Sequence, residues 1–399
     1  MNRLFLMGVA CRVSGLTIAA LLVLAAGAAA CPCGTNCGCG SGCQCGTGGS
    51  AGAGTLLPPP PPPPPGSLGV RKNVNALTDQ EKEDFVHAVL TLKNTFRPGE
   101  SLSIYDTFVQ VHAQAFLNGQ AHGGPAFLPW HRQFLADFER ELQLVNPRVT
   151  IPYWDFVVDR GTTGGPWTPN FMGGNGNPFN GYVVEDGPFR QGQWKLQFDG
   201  PDLRRSFGLL LPTLPKAEDV AAALGVPSYD AFPWSAGTLP DESFRQSIEG
   251  FGHLDPENHN RVHLWIGGSS AIIYSPNDPI FWLLHANIDR IWAEWQDVFG
   301  DSYLPLDNDP TAPLGHRLDD PMFPFGVTPA QTLDHRALGY VYDTELTAVP
   351  EPGTATLLTL GVLTVLAWRW RSRRGLAAVP PAQESGTRSQ GSEGRFPVS

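Results

Sequence analysis

The sequence has no cysteine after Cys45, although the chain is 399 residues long. The region that follows can form no disulfide of its own, and a metal site in it must be built without thiolate ligands. Positive charge is also scarce, because 27 Lys and Arg stand against 38 Asp and Glu, which gives a net charge of −11. This excess argues against nucleic acid or another polyanion as a partner. The globular region has no internal repeat, and it is large enough for one enzyme domain with a real core.

Histidine is the most informative residue that is present. Two groups stand far apart in the chain, and they consist of His112, His122 and His131, and of His259, His263 and His285. Imidazole is a good ligand for copper, iron or zinc, so each group could hold one ion. Neutral ligands add no negative charge that would fix a metal in its oxidised form. Such a pair of ions therefore suits reversible binding of dioxygen.

Spacing gives these histidines helical positions. His259 and His263 stand four residues apart, so both rings lie on one face of a helix. The helix that carries His285 is predicted to begin near Pro279, and Asp289 falls one turn later, where its carboxylate could orient a histidine or a neighbouring side chain. A second amphipathic helix is predicted to begin at His131, with an apolar side formed by Phe134, Leu135, Phe138 and Leu142. His112 also lies in a predicted helix, whereas His122 lies in a Gly/Pro loop.

The remaining histidines near or within this region have no such joint spacing. A lone histidine is more often a satisfied core residue than a metal ligand, so we assign that structural role to His87, His316 and His335. We expect a structural or surface role for His253, which lies in a Gly-rich loop close to the second group.

The motifs around the two groups resemble those of the tyrosinase family. The segment from His122 to Glu139, with FLPWHR at its centre, is similar to the first copper motif, and DPIFWLLHANID resembles the second. HNRVHLWIGG is similar to the approach to the second motif. The resemblance runs from about Val70 to Asp343, where GYVYD resembles the family's tyrosine motif. Both copper motifs are long and stand in the family's order.

This resemblance implies a mainly α fold in which a four-helix bundle holds a dinuclear copper site. The first histidine group would hold one copper and the second group the other. With two copper ions and O2 as co-substrate, members of the family hydroxylate monophenols at the ortho position and oxidise o-diphenols to o-quinones. A catechol oxidase alone and a hemocyanin-like O2-binding protein are the alternatives, although Asn260 weighs against the carrier. A surface matrix protein that crosslinks its surroundings would coexist with catalysis.

Hydroxylation of a monophenol requires a base, because the phenol must lose its proton before it can bind copper. In the family a glutamate and an asparagine are proposed to hold a water for this purpose. Asn260 takes the place of the asparagine, and Glu249 is our first candidate for the glutamate, with Glu257 as the competitor.

Two positions depart from the family pattern. Leu284 stands where many members have a second histidine beside the last ligand, so any role of that neighbour in orienting substrate or handling protons is absent. Some members also crosslink a cysteine to the second histidine of the first group. The absence of cysteine here implies that His122 is free.

The N-terminus has the pattern of an export signal. Residues 1–30 combine early arginines, an apolar run and small residues before Cys31, while a lipoprotein signal is the weaker reading. No twin-arginine pair is present, which favours export of the unfolded chain and copper loading outside the cytoplasm. A Gly/Pro-rich linker, 46–69, contains eight consecutive prolines and forms a semi-rigid spacer.

Residues 31–45 form a Cys-rich segment that repeats a Cys-x-Cys pair three times. Its cysteines are Cys31, Cys33, Cys37, Cys39, Cys43 and Cys45. Adjacent pairs are too close for ordinary bridges, whereas dense thiolates suit Cu(I). The segment resembles short copper metallothioneins, and we hypothesise that it binds copper or delivers it to the dinuclear site. A disulfide-linked or disordered tail is the alternative.

The C-terminal region resembles the PEP-CTERM sorting signal of Gram-negative bacteria. In 349–374 a Pro-Glu-Pro sequence precedes an apolar run and a basic end, and a polar tail, 375–399, follows. The run is short for a permanent membrane span, which favours a transient inner-membrane anchor processed by a sorting protease of the exosortase type. The catalytic domain is thus expected over 70–348, with small phenols as substrates and contact with a membrane only through 349–374. We expect no separate shielding domain after it, and hence no long latent state.

Overall fold

The computed structural model describes residues 68–252 and 256–347. The predicted export signal, the Cys-rich segment, most of the linker, the sorting signal with its transmembrane segment, and the polar tail lie outside the described residues, as does His253. The chain divides into two compact units, Met1–Asp343 and Thr344–Ser399, and only 344–347 of the second are described.

The described part is mainly helical, as the resemblance implies. Its α-helices are α1 (Asp79–Asn94), α2 (Ile104–Leu117), α3 (Phe127–Val145), α4 (Ala217–Leu224), α5 (Phe244–Glu249), α6 (Asn258–Ile266), α7 (Ile280–Phe299) and α8 (Asp343–Thr347). Short 3-10 helices span Val74–Ala76, Pro178–Asn180, Pro240–Glu242, Gly268–Ala271, Ser275–Asn277, Pro329–Thr332 and Arg336–Leu338. The strands are β1 (Gly69–Arg71) and β2 (Tyr340–Tyr342).

Local sequence explains where the main helices begin. Thr78 and Glu81 form a capping box at the start of α1, and the hydroxyl of Ser103 accepts the N–H of Asp106 at the start of α2. Helix α7 begins directly after Pro279, as predicted. Helix α3 begins at Phe127, one turn before the predicted start at His131. Pro129 falls in the first turn of α3, where a missing N–H costs no helical hydrogen bond.

Four helices surround the predicted site, namely α2, α3, α6 and α7, so the expected bundle is present. The apolar side of α3 is buried as predicted, and its aromatic residues pack against α2 and α7. The ring of Phe134 lies 5.4 Å from that of Phe108, and Phe138 stacks on Trp282 at 3.5 Å. These large buried rings fix the spacing between the helices that carry the histidines.

A parallel pair of strands joins the start of the described residues to the end of the first unit, because Gly69 pairs with Tyr340 and Arg71 with Tyr342. Beside this pair, the fully buried guanidinium of Arg71 bonds to Glu139 of α3 and to Asp289 of α7. The strand pair and its ion pairs thus attach the start of the domain to the bundle.

Across the described residues, none of the helices combines the length and the apolar character that crossing a membrane requires.

Candidate metal centre

The structure brings the six predicted histidine ligands together between the four helices. Within each group, one ring nitrogen from every histidine lies within 4.8 Å of the others. Nε2 of His112 is 3.2 Å from Nε2 of His122. In the second group, Nε2 of His285 is 3.2 Å from Nε2 of His259 and 3.4 Å from Nε2 of His263. Each group therefore directs its ring nitrogens toward one shared point.

The first group is held by backbone carbonyls. His112 of α2 places Nδ1 2.8 Å from the carbonyl of Ile273, and His131 of α3 places Nδ1 2.8 Å from the carbonyl of Phe127. A carbonyl only accepts, so each Nδ1 carries the proton and each Nε2 keeps a free lone pair. Nε2 of His131 is buried and has no hydrogen-bond partner among the described residues. A buried lone pair of this kind fits a metal ligand.

The second group comes from α6 and α7. Nδ1 of His263 lies 2.7 Å from the carbonyl of Ser270, and Nδ1 of His259 lies 3.0 Å from Oδ1 of Asn260. Both contacts again leave Nε2 free to bind a metal. His285 differs, because its buried Nδ1 has no hydrogen-bond partner in the described part of the chain. Its ring is instead fixed by packing.

The two groups face each other closely enough to form one dinuclear centre. The rings of His131 and His285 stack at 4.1 Å between centroids with an angle of 11°. Those of His122 and His259 lie 5.6 Å apart. Phe281 packs 4.2 Å from His285 and 5.0 Å from His112, so aromatic side chains hold the rings and exclude water around them.

Burial keeps the histidines in the neutral form that binds metals. It lowers the pKa of His122 to about 3 and that of His263 to about 4. Burial also lowers the pKa of His112, His131, His259 and His285 well below the ordinary value, and neighbouring imidazoles lower it further. Two sets of neutral imidazoles without thiolate fit a pair of copper ions, which exchange electrons readily in such surroundings. This set of donor atoms fits the predicted cofactor.

Glu249 lies at the edge of the first group. It ends α5 and is fully buried, and its Oε1 accepts the N–H of Gly123 at 2.7 Å and lies 3.4 Å from Nδ1 of His122. Oε2 lies 3.1 Å from Nη1 of Arg245, whose guanidinium also binds Asp230 through two hydrogen bonds. Burial raises the pKa of Glu249 to about 7, although Arg245 and the Gly123 N–H act in the opposite direction.

The other two candidates for proton handling occupy different places. The amide of Asn260 contacts the ring of His259, so it flanks the second group as Glu249 flanks the first. Glu257 instead precedes α6 as its N-cap residue, and its backbone N–H donates to the carbonyl of Gly250. The carboxylate of Glu249 lies against His122, a candidate ligand.

Asp289 takes a different role from that of orienting a histidine. Its carboxylate accepts hydrogen bonds from Arg132, Arg71, Tyr340 and Tyr342. The two arginines come from distant parts of the chain, and their charge attracts the carboxylate more strongly than a neutral imidazole would. Asp289 thus holds α3 against α7 through Arg132, the residue after His131, rather than bonding to a candidate ligand.

The other histidines differ in their surroundings. His335 is buried and packs against Tyr340 at 5.5 Å, in agreement with a core role, while His87 is exposed on α1, so a core role for it is wrong. His316 is buried against the loop that carries His122 and accepts the N–H of Ala126. Sequence reasoning missed this placement, as it missed Arg245, although Arg245 stands one helical turn before Glu249.

The chain is similar to known copper proteins. Residues 102–298 match the common central domain of tyrosinase, and residues 348–374 match the PEP-CTERM protein-sorting motif, which confirms the predicted sorting signal. The tyrosinase of Streptomyces glaucescens is 43% identical over 290 residues, covering 69% of this chain and 99% of that protein. Grixazone synthase of Streptomyces griseus is 40% identical over 312 residues, with coverage of 69% and 99%.

A solved polyphenol oxidase from Thermothelomyces thermophila has a similar fold, with a TM-score of 0.54 at 23% identity. The match covers 69% of this chain and 88% of that one. At this identity the likeness concerns the fold alone.

Proposed function

This chain belongs to the tyrosinase family of copper oxidases, and we propose that it hydroxylates monophenols at the ortho position as well as oxidising o-diphenols to o-quinones. The observation that supports this most strongly is the convergence of six neutral imidazoles into two facing groups. The overall reaction balances for both substrates. A monophenol and one O2 give an o-quinone and one water, and two o-diphenols and one O2 give two o-quinones and two waters.

In this proposal the six histidines are the copper ligands. His112, His122 and His131 hold one ion through Nε2, and His259, His263 and His285 hold the other. When bound, the copper pair supplies the exchange of electrons with O2 and the phenol. The carbonyls of Ile273, Phe127 and Ser270 fix three of the rings, so the protein supplies the geometry in advance.

Hydroxylation of a monophenol also needs a group that accepts the phenolic proton. We assign this to the carboxylate of Glu249, which receives the proton through a water held between it and the amide of Asn260. Each carboxylate oxygen accepts a hydrogen bond from the protein and keeps acceptor capacity for another. Because Arg245 and Gly123 fix the carboxylate in place, Glu249 can hold this water without rearrangement.

The proposal is tested with the full-length chain, purified, loaded with copper and supplied with O2. Tyrosine, a simple monophenol and a catechol are offered in parallel, and copper is determined in the same sample. Two copper ions per chain with turnover of all three substrates are expected. Turnover of catechol alone would reassign the protein as a catechol oxidase, and reversible O2 binding without turnover would favour the hemocyanin-like carrier.

The sorting motif points to export through a sorting system of Gram-negative bacteria. We propose that the enzyme works in the periplasm, at the cell surface or outside the cell, and that a protease of the exosortase type removes a transient inner-membrane anchor. The proposed organisation is an export signal (1–30), the Cys-rich segment (31–45), a linker (46–69), the catalytic domain (70–348), the sorting signal (349–374) and a polar tail (375–399).

We also propose that the Cys-rich segment is an accessory Cu(I) site that supplies the dinuclear centre. Three Cys-x-Cys pairs place six soft ligands in a short stretch, and the linker tethers them to the domain. A tether keeps the local concentration of bound copper near the domain high, even when free copper is scarce.

A further inference from the structure

His122 differs from the other five candidate ligands in its backbone. The others lie on α2, α3, α6 or α7, where helical hydrogen bonds fix the chain. His122 instead lies on the loop between Leu117 and Phe127, the segment that joins α2 to α3. The position of its ring therefore depends on what anchors this loop to the rest of the domain.

The side chain of His316 lies directly against this loop. Its Nδ1 accepts the N–H of Ala126 at 3.1 Å, and its ring lies directly against Gly124. One imidazole thus contacts the loop at two residues that closely follow His122. A Cβ on Gly124 would lie 2.7 Å from Cε1 of His316, so the glycine is what lets the loop approach the ring this closely.

The backbone that carries the ring of His316 is itself held in place. The hydroxyl of Tyr303 donates to the carbonyl of His316 at 2.8 Å. The carboxylate of Asp320 accepts the N–H groups of Gly315 and Arg317, on either side of the histidine, at 2.9 and 3.2 Å. His316 is only 4% exposed, so water does not compete for its hydrogen bonds. The contact joins two parts of the chain that are 190 residues apart.

The protonation state of the ring is consistent with this contact. Burial lowers the pKa of His316 to about 4, with Arg245 also lowering it and Glu249 and Asp320 raising it. The neutral ring keeps a lone pair on Nδ1 for the Ala126 N–H.

We propose that His316 is a positioning residue for the first copper site, because it anchors the loop that carries His122. The proposal rests on the proposed role of His122 as a copper ligand. Side chains that orient metal ligands typically change metal affinity by about 10- to 100-fold when they are replaced. The effect is expected at the copper held by the first group and not at the copper held by the second.

The test compares His316→Phe, which keeps an aromatic ring and removes the hydrogen bond to Ala126, with His316→Asn, whose amide oxygen can take the place of Nδ1. Copper affinity of the full-length protein is measured by chelator competition. His316→Phe is expected to lower the affinity for one of the two copper ions by about tenfold or more. His316→Asn is expected to recover part of this loss. At intermediate chelator, the isolated Cu(II) that remains gives a paramagnetic resonance signal, which a coupled pair of Cu(II) ions does not.

Two backgrounds identify which copper is affected. When His263→Ala disables the second group, His316→Phe should lower the affinity for the copper that the first group still holds. With the first group disabled by His122→Ala, it should have no effect. His335→Phe is the matched control, because His335 is also 4% exposed but packs against Tyr340 and Tyr342. This control should lower the melting temperature at most.

Equal copper affinity in His316→Phe and the wild type would overturn the proposal. An equal loss of copper affinity in the His263→Ala and His122→Ala backgrounds would also overturn it. If His316→Phe does not fold, His316→Asn and His316→Gln replace it. The proposal is then overturned if both variants bind copper as tightly as the wild type. A wild-type chain that binds no copper would instead contradict the proposed function itself.

Discussion

Oε1 of Glu249 lies 3.4 Å from Nδ1 of His122, while it accepts the N–H of the next residue, Gly123, at 2.7 Å. One carboxylate therefore contacts both the side chain and the backbone at the loop position of the first histidine group. It is fully buried there, with Arg245 on its other oxygen. A carboxylate so placed can stabilise the loop and can also accept a proton close to a bound phenol.

Replacing Glu249 with Gln separates these two roles. The amide keeps the volume and a carbonyl oxygen but is not a base. We expect the kcat/KM for a monophenol to fall by about 100-fold, whereas that for a catechol changes by less than about threefold, because only the monophenol needs general base catalysis. Initial rates with both substrates, measured on samples of equal copper content, check this.

Glu257→Gln is the matched control for this change. It makes the same substitution at the competing glutamate, and it should leave the ratio of monophenol to catechol turnover unchanged. Equal losses for both substrates in Glu249→Gln would contradict the assignment, and a selective loss in the Glu257 variant would transfer the role to that residue.

Asp289→Asn tests the ion pairs that join α3 to α7. Burial raises the pKa of Asp289, but Arg132 and Arg71 outweigh this effect and hold it below 3.8. The carboxylate therefore stabilises the fold above pH 3.8, and this stabilisation is lost as the pH falls through the lower pKa of the folded state. We expect the variant to lose about 3 kcal/mol of unfolding free energy at neutral pH, because the substitution leaves buried arginine charge less well paired.

Urea unfolding of the copper-free protein at several pH values measures this effect. The difference between the wild type and Asp289→Asn should shrink as the pH falls below 3.8. A difference that stays constant down to the acid limit would show that the charge of Asp289 is not what stabilises the contact.

Sequence predicted the parts of the site that depend on local geometry. The spacing of His259 and His263 predicted one helical face, and the start of α7 followed from Pro279, because helical periodicity and proline restraint act over a few residues. The pairing of the two histidine groups and the candidate role of Glu249, which remains a proposal, came from the family resemblance, since no local rule relates residues so far apart.

The contacts that fix the ligands had no sequence signal. The carbonyls of Ile273 and Ser270 orient His112 and His263, and every residue has a carbonyl. His316 was assigned to the core correctly, but its contact with Ala126 joins positions 190 residues apart. Helical spacing placed Asp289 one turn after His285, but it shows which residues share a face and not which distant arginines reach the carboxylate.

Gly250, directly after Glu249, is expected to tolerate no side chain. Its φ is +93°, and a Cβ there would lie 1.9 Å from the carbonyl oxygen of Glu257. Gly99 is the matched control, because its φ is +82° but nothing lies within 4 Å of its Cβ position. Gly99→Ala should cost about 1 kcal/mol of unfolding free energy, from backbone strain alone. Gly250→Ala should cost more than about 3 kcal/mol, because the backbone itself must move. Chemical denaturation measures both, and equal costs would contradict the predicted clash.

The accessory copper role of the Cys-rich segment is tested by replacing all six of its cysteines with Ser. This change keeps the length and polarity of the segment but removes the soft ligands for Cu(I). Copper occupancy of the dinuclear site, measured after production under limiting copper, should fall relative to the wild type and recover when copper is in excess, because delivery matters only when free copper is scarce. A variant that replaces residues 31–45 with a Gly/Ser sequence of equal length should behave in the same way. Full occupancy of both variants under limiting copper would reject the delivery role and leave the disulfide-linked or disordered tail as the better interpretation.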